Sequence, residues 1–189
     1  MRQLVEQMLR DRGVETSDIT TLVYQLQLPY FSDLTMEECE DSVSSVLEKR
    51  EVMHAMITGI ALDVMSEQKL LPEPLQTIME NDEPLYGVDE ILALAVTNVY
   101  GSIGLTNFGY LDKTKMGIIG VLNDHPTHIH VFLDDLVASV AASACARLAH
   151  RRSTKPYEFG KSDAGSVHEI VNETWISDDE QGNGQSKDE

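Results

Sequence analysis

The sequence predicts an all-α fold, a compact single-domain helical bundle with a central helix rich in small residues. Three observations support this prediction. Apolar residues recur at helical spacing through most of the first 152 residues, and no segment there shows the alternation typical of a strand. Residues 130–152 are dense in alanine and serine, which indicates a helix surrounded by other helices. A chain of 189 residues is also long enough to bury a sizeable core.

The first two helices are defined by their end signals. The segment 2–12 has leucine, valine and methionine at helical intervals and stops at Gly13, a residue suited to a left-handed cap. A second helix begins near Ser17 or Asp18, because both residue types cap helix N-termini. That helix must end before Pro29, since the residue preceding a proline is disfavoured in the helical conformation.

Two further helices and a short one follow. Thr35 and Glu38 have the spacing of a capping box and so start a long helical stretch. The apolar rhythm of this stretch predicts a break near residues 49–51. Pro74 then opens a short helix over residues 75–80, since proline is tolerated in the first turn of a helix and not inside it.

The C-terminal half of the bundle is the more apolar half. Gly87 opens a predicted helix over residues 88–107, and a turn with a short helix is expected within residues 112–123. Residues 91–111 carry no charge, yet eight of these 21 residues are Thr, Asn, Ser or Gly. We interpret them as a buried helix of a soluble protein, because unpaired amides are costly in hydrocarbon and a membrane span needs ~20 predominantly apolar residues.

Residues 1–152 are therefore predicted to form the helical domain and residues 153–189 an acidic tail. The tail holds three lysines against nine aspartates and glutamates. Its last twelve residues cannot bury enough apolar surface to offset the entropy lost on ordering. We expect the tail to be disordered.

The charge balance restricts the partners of the protein. With 32 Asp and Glu against 14 Lys and Arg, the formal net charge is -18. Nucleic acid is not expected as a partner, and membrane contact is expected to be at most peripheral, because the field of the molecule opposes polyanions. Residues 1–13 lack the apolar stretch of a signal peptide, so a cytoplasmic protein is expected, with the inner face of the membrane as the place of any peripheral contact.

Two acidic pairs lie in unusually apolar surroundings. Asp89 and Glu90 open the uncharged segment, and Asp134 and Asp135 have apolar residues on both sides. A carboxylate flanked in this way must be paired, protonated or bound to a cation, because an isolated buried charge is strongly penalised. Mg²⁺, with Mn²⁺ as the alternative, takes oxygen ligands, so these four acids are candidate metal ligands. The competing interpretation is that the helix dipole stabilises acids in a first turn.

Further candidates lie close to these pairs in the sequence. Asn107 and Asp112 follow the first pair, and His130 precedes the second. We treat Asp134 and Asp135 as the principal catalytic candidates and these three residues as additional ones. Asn107 has an alternative role in hydrogen bonding between helices. The run of His125, His128 and His130 is an alternative site for Zn²⁺, Mn²⁺ or Fe²⁺, which accept imidazole nitrogen.

The sequence resembles the phosphatidylglycerophosphatase A family, in particular its short soluble branch, also described as low-temperature-requirement C. Four stretches carry the resemblance, namely residues 70–78, 85–94, 99–112 and 130–137. Together with the N-terminal helices the resemblance covers about residues 1–150 and leaves the tail outside. Similarity to the membrane-embedded branch is confined to a glycine-rich stretch and the second acidic pair, where Asp135 stands in place of the usual Glu.

The resemblance implies an all-helical fold and a Mg²⁺-dependent phosphatase that converts phosphatidylglycerophosphate to phosphatidylglycerol. We therefore expect hydrolysis of a phosphomonoester by a metal-positioned water, with Asp89, Glu90, Asp134 and Asp135 as ligands or base. One alternative keeps this site and changes the substrate to a small soluble phosphorylated metabolite. Another is a non-enzymatic homo-oligomeric helical module with a structural or regulatory cation site.

Overall fold

The computed structural model describes residues 1–152, and every regular element in this part of the chain is helical. The all-α fold class is confirmed, because no strand occurs among these residues. The predicted acidic tail, residues 153–189, lies outside the described residues. The helices are α1 (Arg2–Asp11), α2 (Thr16–Gln27), α3 (Met36–Leu47), α4 (Arg50–Glu67), α5 (Leu75–Glu80), α6 (Val88–Thr97), α7 (Gly101–Thr114), α8 (Ile118–Asn123) and α9 (Leu133–Arg152).

The last helix, α9, is the centre of the bundle. It is buried on every side from its start to Cys145, and α2, α3, α4, α6, α7 and α8 all pack against it. Its alanines and serines allow the surrounding helices to approach closely, while the larger Leu133, Leu136 and Val137 fill the space at its N-terminal end. The prediction of a central helix rich in small residues is confirmed.

Most of the predicted helix ends are also confirmed. Thr35 accepts a hydrogen bond from the Glu38 amide, and the Glu38 carboxylate accepts one from the Thr35 amide, which completes the capping box. Gly13 follows α1 with a φ of +79°. The second helix starts slightly earlier than predicted, because Glu15 and Asp18 form a reciprocal cap ahead of it.

The predicted single helix over residues 88–107 is wrong in two respects. It is interrupted by a 3₁₀ turn at Asn98–Tyr100 and by Gly101 with a φ of +73°, so it forms α6 and α7. It is also largely exposed: Val88–Thr114 is long and apolar enough to cross a membrane, yet only 28% of its most apolar 18-residue stretch is buried. Composition alone does not indicate which faces of so apolar a segment are covered.

Gly59 allows α4 to lie close to α9. A Cβ atom at this position would lie 2.9 Å from the Phe132 Cβ and would overlap the side chain of Leu136. Both neighbours belong to or directly precede the central helix, and both are fully buried. The packing of α4 on the N-terminal end of α9 therefore requires the absence of a side chain at residue 59.

We expect Gly59→Ala to lower the free energy of unfolding by about 1–3 kcal/mol, because the added methyl forces apart well-packed helices. Urea unfolding measures this change. The matched control is Gly109→Ala in α7, where an added Cβ meets no atom within 4 Å. There the loss of glycine flexibility should stabilise the protein by roughly 0.5–1 kcal/mol. Equal effects at the two positions would contradict the close packing of α4.

Candidate active site

Three carboxylates from two helices converge on one lysine. Asp134 and Asp135 lie in the first turn of α9 and are only 6% and 4% exposed. The Lys115 Nζ lies 2.9 Å from Asp134 Oδ2 and 3.6 Å from Asp135 Oδ1. The same Nζ lies 2.8 Å from Oδ1 of Asp112, near the end of α7. A single ammonium therefore neutralises only part of the negative charge gathered at this point.

Burial and mutual repulsion shift the pKa values of these groups. Burial, followed by the charge of Asp134, raises the pKa of Asp135 to about 8, and Lys115 acts in the opposite direction. Burial likewise raises the pKa of Asp134, again opposed by Lys115. Burial alone would lower the pKa of Lys115, but the neighbouring Asp134 and Asp112 hold it above its ordinary value. The lysine is therefore charged, and the carboxylates compete for its charge.

The first acidic pair contributes one member to this site. The Asp89 carboxylate is close enough to Asp135 to help raise the pKa of that residue. Its Oδ1 atom is buried and has no hydrogen-bond partner among the described residues. Glu90 is exposed to solvent. We name the set of Asp89, Asp112, Asp134 and Asp135 the acidic cluster.

The remaining two candidates lie outside the acidic cluster. Asn107 lines a separate cavity of about 280 Å³ between α2 and α7, where its buried Nδ2 has no hydrogen-bond partner among the described residues. His130 lies in the loop before α9, is 7% exposed, and lines a cavity of about 180 Å³ that Asp134 also lines. Asp82 lies on the same cavity and contributes to raising the pKa of Asp134. Sequence reasoning missed Asp82.

The acidic cluster fits a hard divalent cation by its chemistry. Within residues 1–152, no three His, Cys, Asp or Glu side chains are arranged to hold a metal ion as they stand. The Lys115 ammonium lies among these carboxylates, in the role that a bound cation would take. The unpartnered Asp89 Oδ1 and the shortage of positive charge both favour a further cation. Carboxylate oxygens are the ligands that Mg²⁺ and Mn²⁺ prefer.

Asp63 positions the start of α9 and was missed in the sequence. Its Oδ1 accepts a hydrogen bond from the Phe132 amide at 3.1 Å, and its Oδ2 accepts one from the Leu133 amide at 3.0 Å. The side chain is completely buried, and burial raises its pKa well above the ordinary value although the two amides oppose this. Asp63 thus caps the helix that presents Asp134 and Asp135. The sequence feature that could have identified Asp63 is an acidic residue between apolar neighbours in α4, the same feature that identified Asp134 and Asp135.

We expect Asp63→Asn to lower the free energy of unfolding by about 1–3 kcal/mol. The new amide group would place an N–H donor against one of two backbone N–H donors in a site without water access, which leaves a buried group unsatisfied. Urea unfolding measures the change. Glu90→Gln, an exposed acid-to-amide change, serves as the control and should stay within about 0.5 kcal/mol of the wild type. An Asp63→Asn value as small as the control value would contradict the capping role.

An ion pair between the buried Arg12 and the partly exposed Glu67 fixes the loop that leads into α9. The Arg12 guanidinium, with a side chain 5% exposed, contacts the Glu67 carboxylate at 2.6 and 2.9 Å. Arg12 also donates to the Ile129 carbonyl at 2.8 Å, and the Ile129 amide donates to Glu67 at 2.8 Å. Burial alone would raise the pKa of Glu67, but these hydrogen bonds and the charge of Arg12 lower it to about 2.

Comparison with known proteins identifies relatives along most of the described chain. The family model for Phosphatidylglycerophosphatase A matches residues 13–150, a range that includes the whole acidic cluster. Uncharacterized protein YutG of Bacillus subtilis is 58% identical over 144 residues, which span 76% of this chain and 87% of that protein. Uncharacterized protein YpjQ of the same organism is 56% identical over 150 residues, or 79% of this chain and 85% of that protein.

Solved structures show the same fold. The crystal structure of the low temperature requirement C protein from Listeria monocytogenes superposes with a TM-score of 0.78 and 52% identity, covering 80% of this chain and 96% of that one. The crystal structure of YpjQ from Bacillus subtilis gives a TM-score of 0.77 at 55% identity, covering 80% of this chain and 94% of that one. The helical bundle described above is therefore shared with these proteins.

Proposed function

The chain belongs to the phosphatidylglycerophosphatase A family, and on that premise we propose that it is a Mg²⁺-dependent phosphomonoester hydrolase that converts phosphatidylglycerophosphate to phosphatidylglycerol. One observation carries the proposal: four carboxylates gather at the buried start of α9, and the one ammonium among them contacts only Asp112, Asp134 and Asp135. Such an arrangement has an energetic cost for folding, which a structural role alone does not explain.

The proposed roles follow from the contacts. Asp89, Asp134 and Asp135 would hold the ion, which when bound neutralises phosphate charge and activates a water molecule. Asp135, ionised once the ion is bound, would accept a proton from the attacking water at a carboxylate oxygen that does not hold the ion. Lys115 supplies a fixed positive charge beside the phosphoryl oxygens, and Asp112 orients that lysine through its 2.8 Å contact.

A lipid substrate is supported by the apolar surface beside the acidic cluster. Asp89 and Asp112 are carried by α6 and α7, and the segment that contains these helices leaves many apolar side chains exposed. These side chains are Leu85, Val88, Ile91, Val99, Ile103, Leu105 and Tyr110. Exposed apolar residues next to a polar site suit a substrate with a charged head and acyl chains. We propose peripheral contact at the inner face of the membrane, since the net charge of -18 opposes broad attraction to an anionic surface.

The proposal is tested by phosphate release from phosphatidylglycerophosphate in detergent micelles, with Mg²⁺ and with a chelator. We expect release to require Mg²⁺ and kcat/KM to exceed that for water-soluble phosphomonoesters. Equal rates with and without the metal would contradict the proposal. A preference for a soluble ester would retain the site and assign a small phosphorylated metabolite as the substrate.

The second candidate is a non-enzymatic homo-oligomeric module. The same exposed apolar side chains favour it, because a second copy of the chain would cover them as well as acyl chains would. Thermal unfolding in millimolar Mg²⁺ or Mn²⁺ separates the candidates, since a ligand that binds the folded state must raise its stability. An unchanged midpoint together with a dimer in light scattering would favour the module.

A further inference from the structure

Three histidine rings cluster beside the acidic cluster without forming part of it. The ring centroids of His125 and His128 are 4.7 Å apart, those of His125 and His130 are 5.3 Å apart, and those of His128 and His130 are 5.8 Å apart. All three rings line the cavity of about 180 Å³ that Asp82 and Asp134 also line. The proposed hydrolase chemistry uses none of these rings.

The hydrogen bonds of His130 determine which of its nitrogens carries the proton. Arg12 Nη2 lies 3.1 Å from His130 Nδ1, and a guanidinium can only donate, so Nδ1 accepts. Burial, together with the charge of Arg12, lowers the pKa of His130 to about 4, which keeps the ring neutral at pH 7. The proton is therefore on Nε2. This Nε2–H is buried and has no acceptor among the described residues, a costly state for a hydrogen-bond donor.

His125 has the same tautomer for a different reason. Its Nδ1 accepts from the His128 backbone amide at 3.1 Å and from the Thr127 amide at 3.4 Å, so its proton is also on Nε2. His128 is the exception. Its Nδ1 lies 3.1 Å from the Glu67 carboxylate, which only accepts, and 3.4 Å from Arg12 Nη1, which only donates, so these contacts do not assign its proton to one nitrogen. Two of the three rings thus offer an N–H donor at Nε2.

These tautomers restrict what the cavity can bind. The Nε2–H groups of His125 and His130 offer no lone pair to a metal ion, so a ligand that contacts both of these groups is a hydrogen-bond acceptor. The cavity is smaller than the ~300–1,000 Å³ of sites for whole drug-sized ligands, so a compact group fits it. Its acidic lining, Glu80, Asp82 and Asp134, disfavours a bare anion and favours one that arrives with a cation.

We propose that this cavity binds the phosphoryl group of a phosphomonoester, an inference that rests on the proposed function. The Nε2–H groups of His125 and His130 donate hydrogen bonds to the phosphoryl oxygens beside Asp134. A phosphoryl group is compact, rich in acceptors and commonly accompanied by Mg²⁺, as the three restrictions require. A lipid headgroup and a free phosphate share this chemistry. His125 and His130 are therefore binding residues for the group that the acidic cluster acts on.

The test is calorimetric titration of the full chain with inorganic phosphate in millimolar Mg²⁺. His125→Phe removes the N–H donor from a half-buried position and should weaken phosphate binding roughly ten- to a hundred-fold, the value of one hydrogen bond to a charged group. His125→Gln keeps an N–H donor and should recover part of the affinity. His54→Phe changes an exposed histidine of α4 and should leave the affinity unchanged.

The outcomes separate this inference from the proposed function. If His125→Phe weakens phosphate binding but the wild-type protein hydrolyses no ester, the binding site is supported and the hydrolase is rejected. If the wild-type protein hydrolyses the ester but His125→Phe changes neither the phosphate affinity nor KM, the hydrolase is supported and the binding site is overturned. No phosphate binding by the wild type overturns it as well. A Zn²⁺-induced rise of the thermal midpoint that His125→Phe abolishes would overturn the assigned tautomers.

A kinetic comparison distinguishes the two sources of the phosphoryl group. KM is measured for the lipid phosphomonoester and for glycerol 3-phosphate, with the wild type and with His125→Phe. An increase in KM for both esters supports recognition of the shared phosphoryl group. An increase for the lipid alone would overturn it, because His125 would then contact another part of the substrate.

Discussion

We expect Asp134→Asn to lower kcat for phosphomonoester hydrolysis by about 10²–10⁴-fold, because it removes a charged ligand of the ion, whose stabilisation of the transition state is worth several kcal/mol. The substitution keeps the shape of the side chain and removes its charge. Asp134 is the residue that joins both parts of the proposed site, because it contacts Lys115 at 2.9 Å and also lines the histidine cavity. Steady-state kinetics in saturating Mg²⁺ measure kcat and KM separately.

Two measurements make this result interpretable. Glu90→Gln removes an exposed acid that lies outside the acidic cluster, and its kcat should stay within about twofold of the wild type. Urea unfolding of Asp134→Asn establishes that the purified variant is folded when it is assayed. A folded variant with wild-type kcat would remove Asp134 from the reaction and, with it, the main support for the acidic cluster as an active site.

Glu67→Gln is expected to lower the free energy of unfolding by about 3–5 kcal/mol at pH 7. The change leaves the Arg12 guanidinium, whose side chain is only 5% exposed, without its anionic partner. Breaking a buried ion pair by removing one member costs this much because the other charge stays buried and uncompensated. Urea unfolding at fixed ionic strength measures the difference between the two proteins.

The difference between Glu67→Gln and the wild type should depend on pH in a defined direction. Folding lowers the pKa of Glu67 from its ordinary value of 4.5 to about 2, so the pair contributes fully to stability above pH 4.5. This contribution is lost as the pH falls toward 2, and the two proteins should converge there. Glu48→Gln, which disrupts an exposed pair with Arg2, should cost less than about 1 kcal/mol. A gap that widens in acid would contradict the assignment.

The sequence predicted the helices where a local signal marks an end. The capping box at Thr35 and Glu38 and the proline before α5 have their effects within a few residues, so composition and spacing sufficed. The sequence left open whether Gly101 interrupts the helix or only allows close packing, because glycine is tolerated within helices and the residues on both sides carry no charge. The exposure of α6 and α7 depends on where the other helices lie, which is a property of the tertiary structure.

In the candidate site, apolar flanking residues identified the important carboxylates, but the sequence did not show which distant residues contact them. Asp134 and Asp135 were identified because charge is rare between apolar neighbours, and Asp63 has the same signal in α4. The partners could not be identified in this way. Lys115 is 19 residues from Asp134, and Arg12 is 55 residues from Glu67, so these contacts exist only once the bundle has formed.

The spacing of Gly59, Asp63 and Glu67 along α4 has a practical consequence for engineering. One edge of this helix, with a functional residue at each turn, touches the central helix, caps it and holds the loop before it. Directed evolution for higher stability should accept almost no substitutions along that edge, because each change would also disturb the position of Asp134 and Asp135. The outward positions His54 and Thr58, one turn apart on the opposite side, are where such a library should be varied.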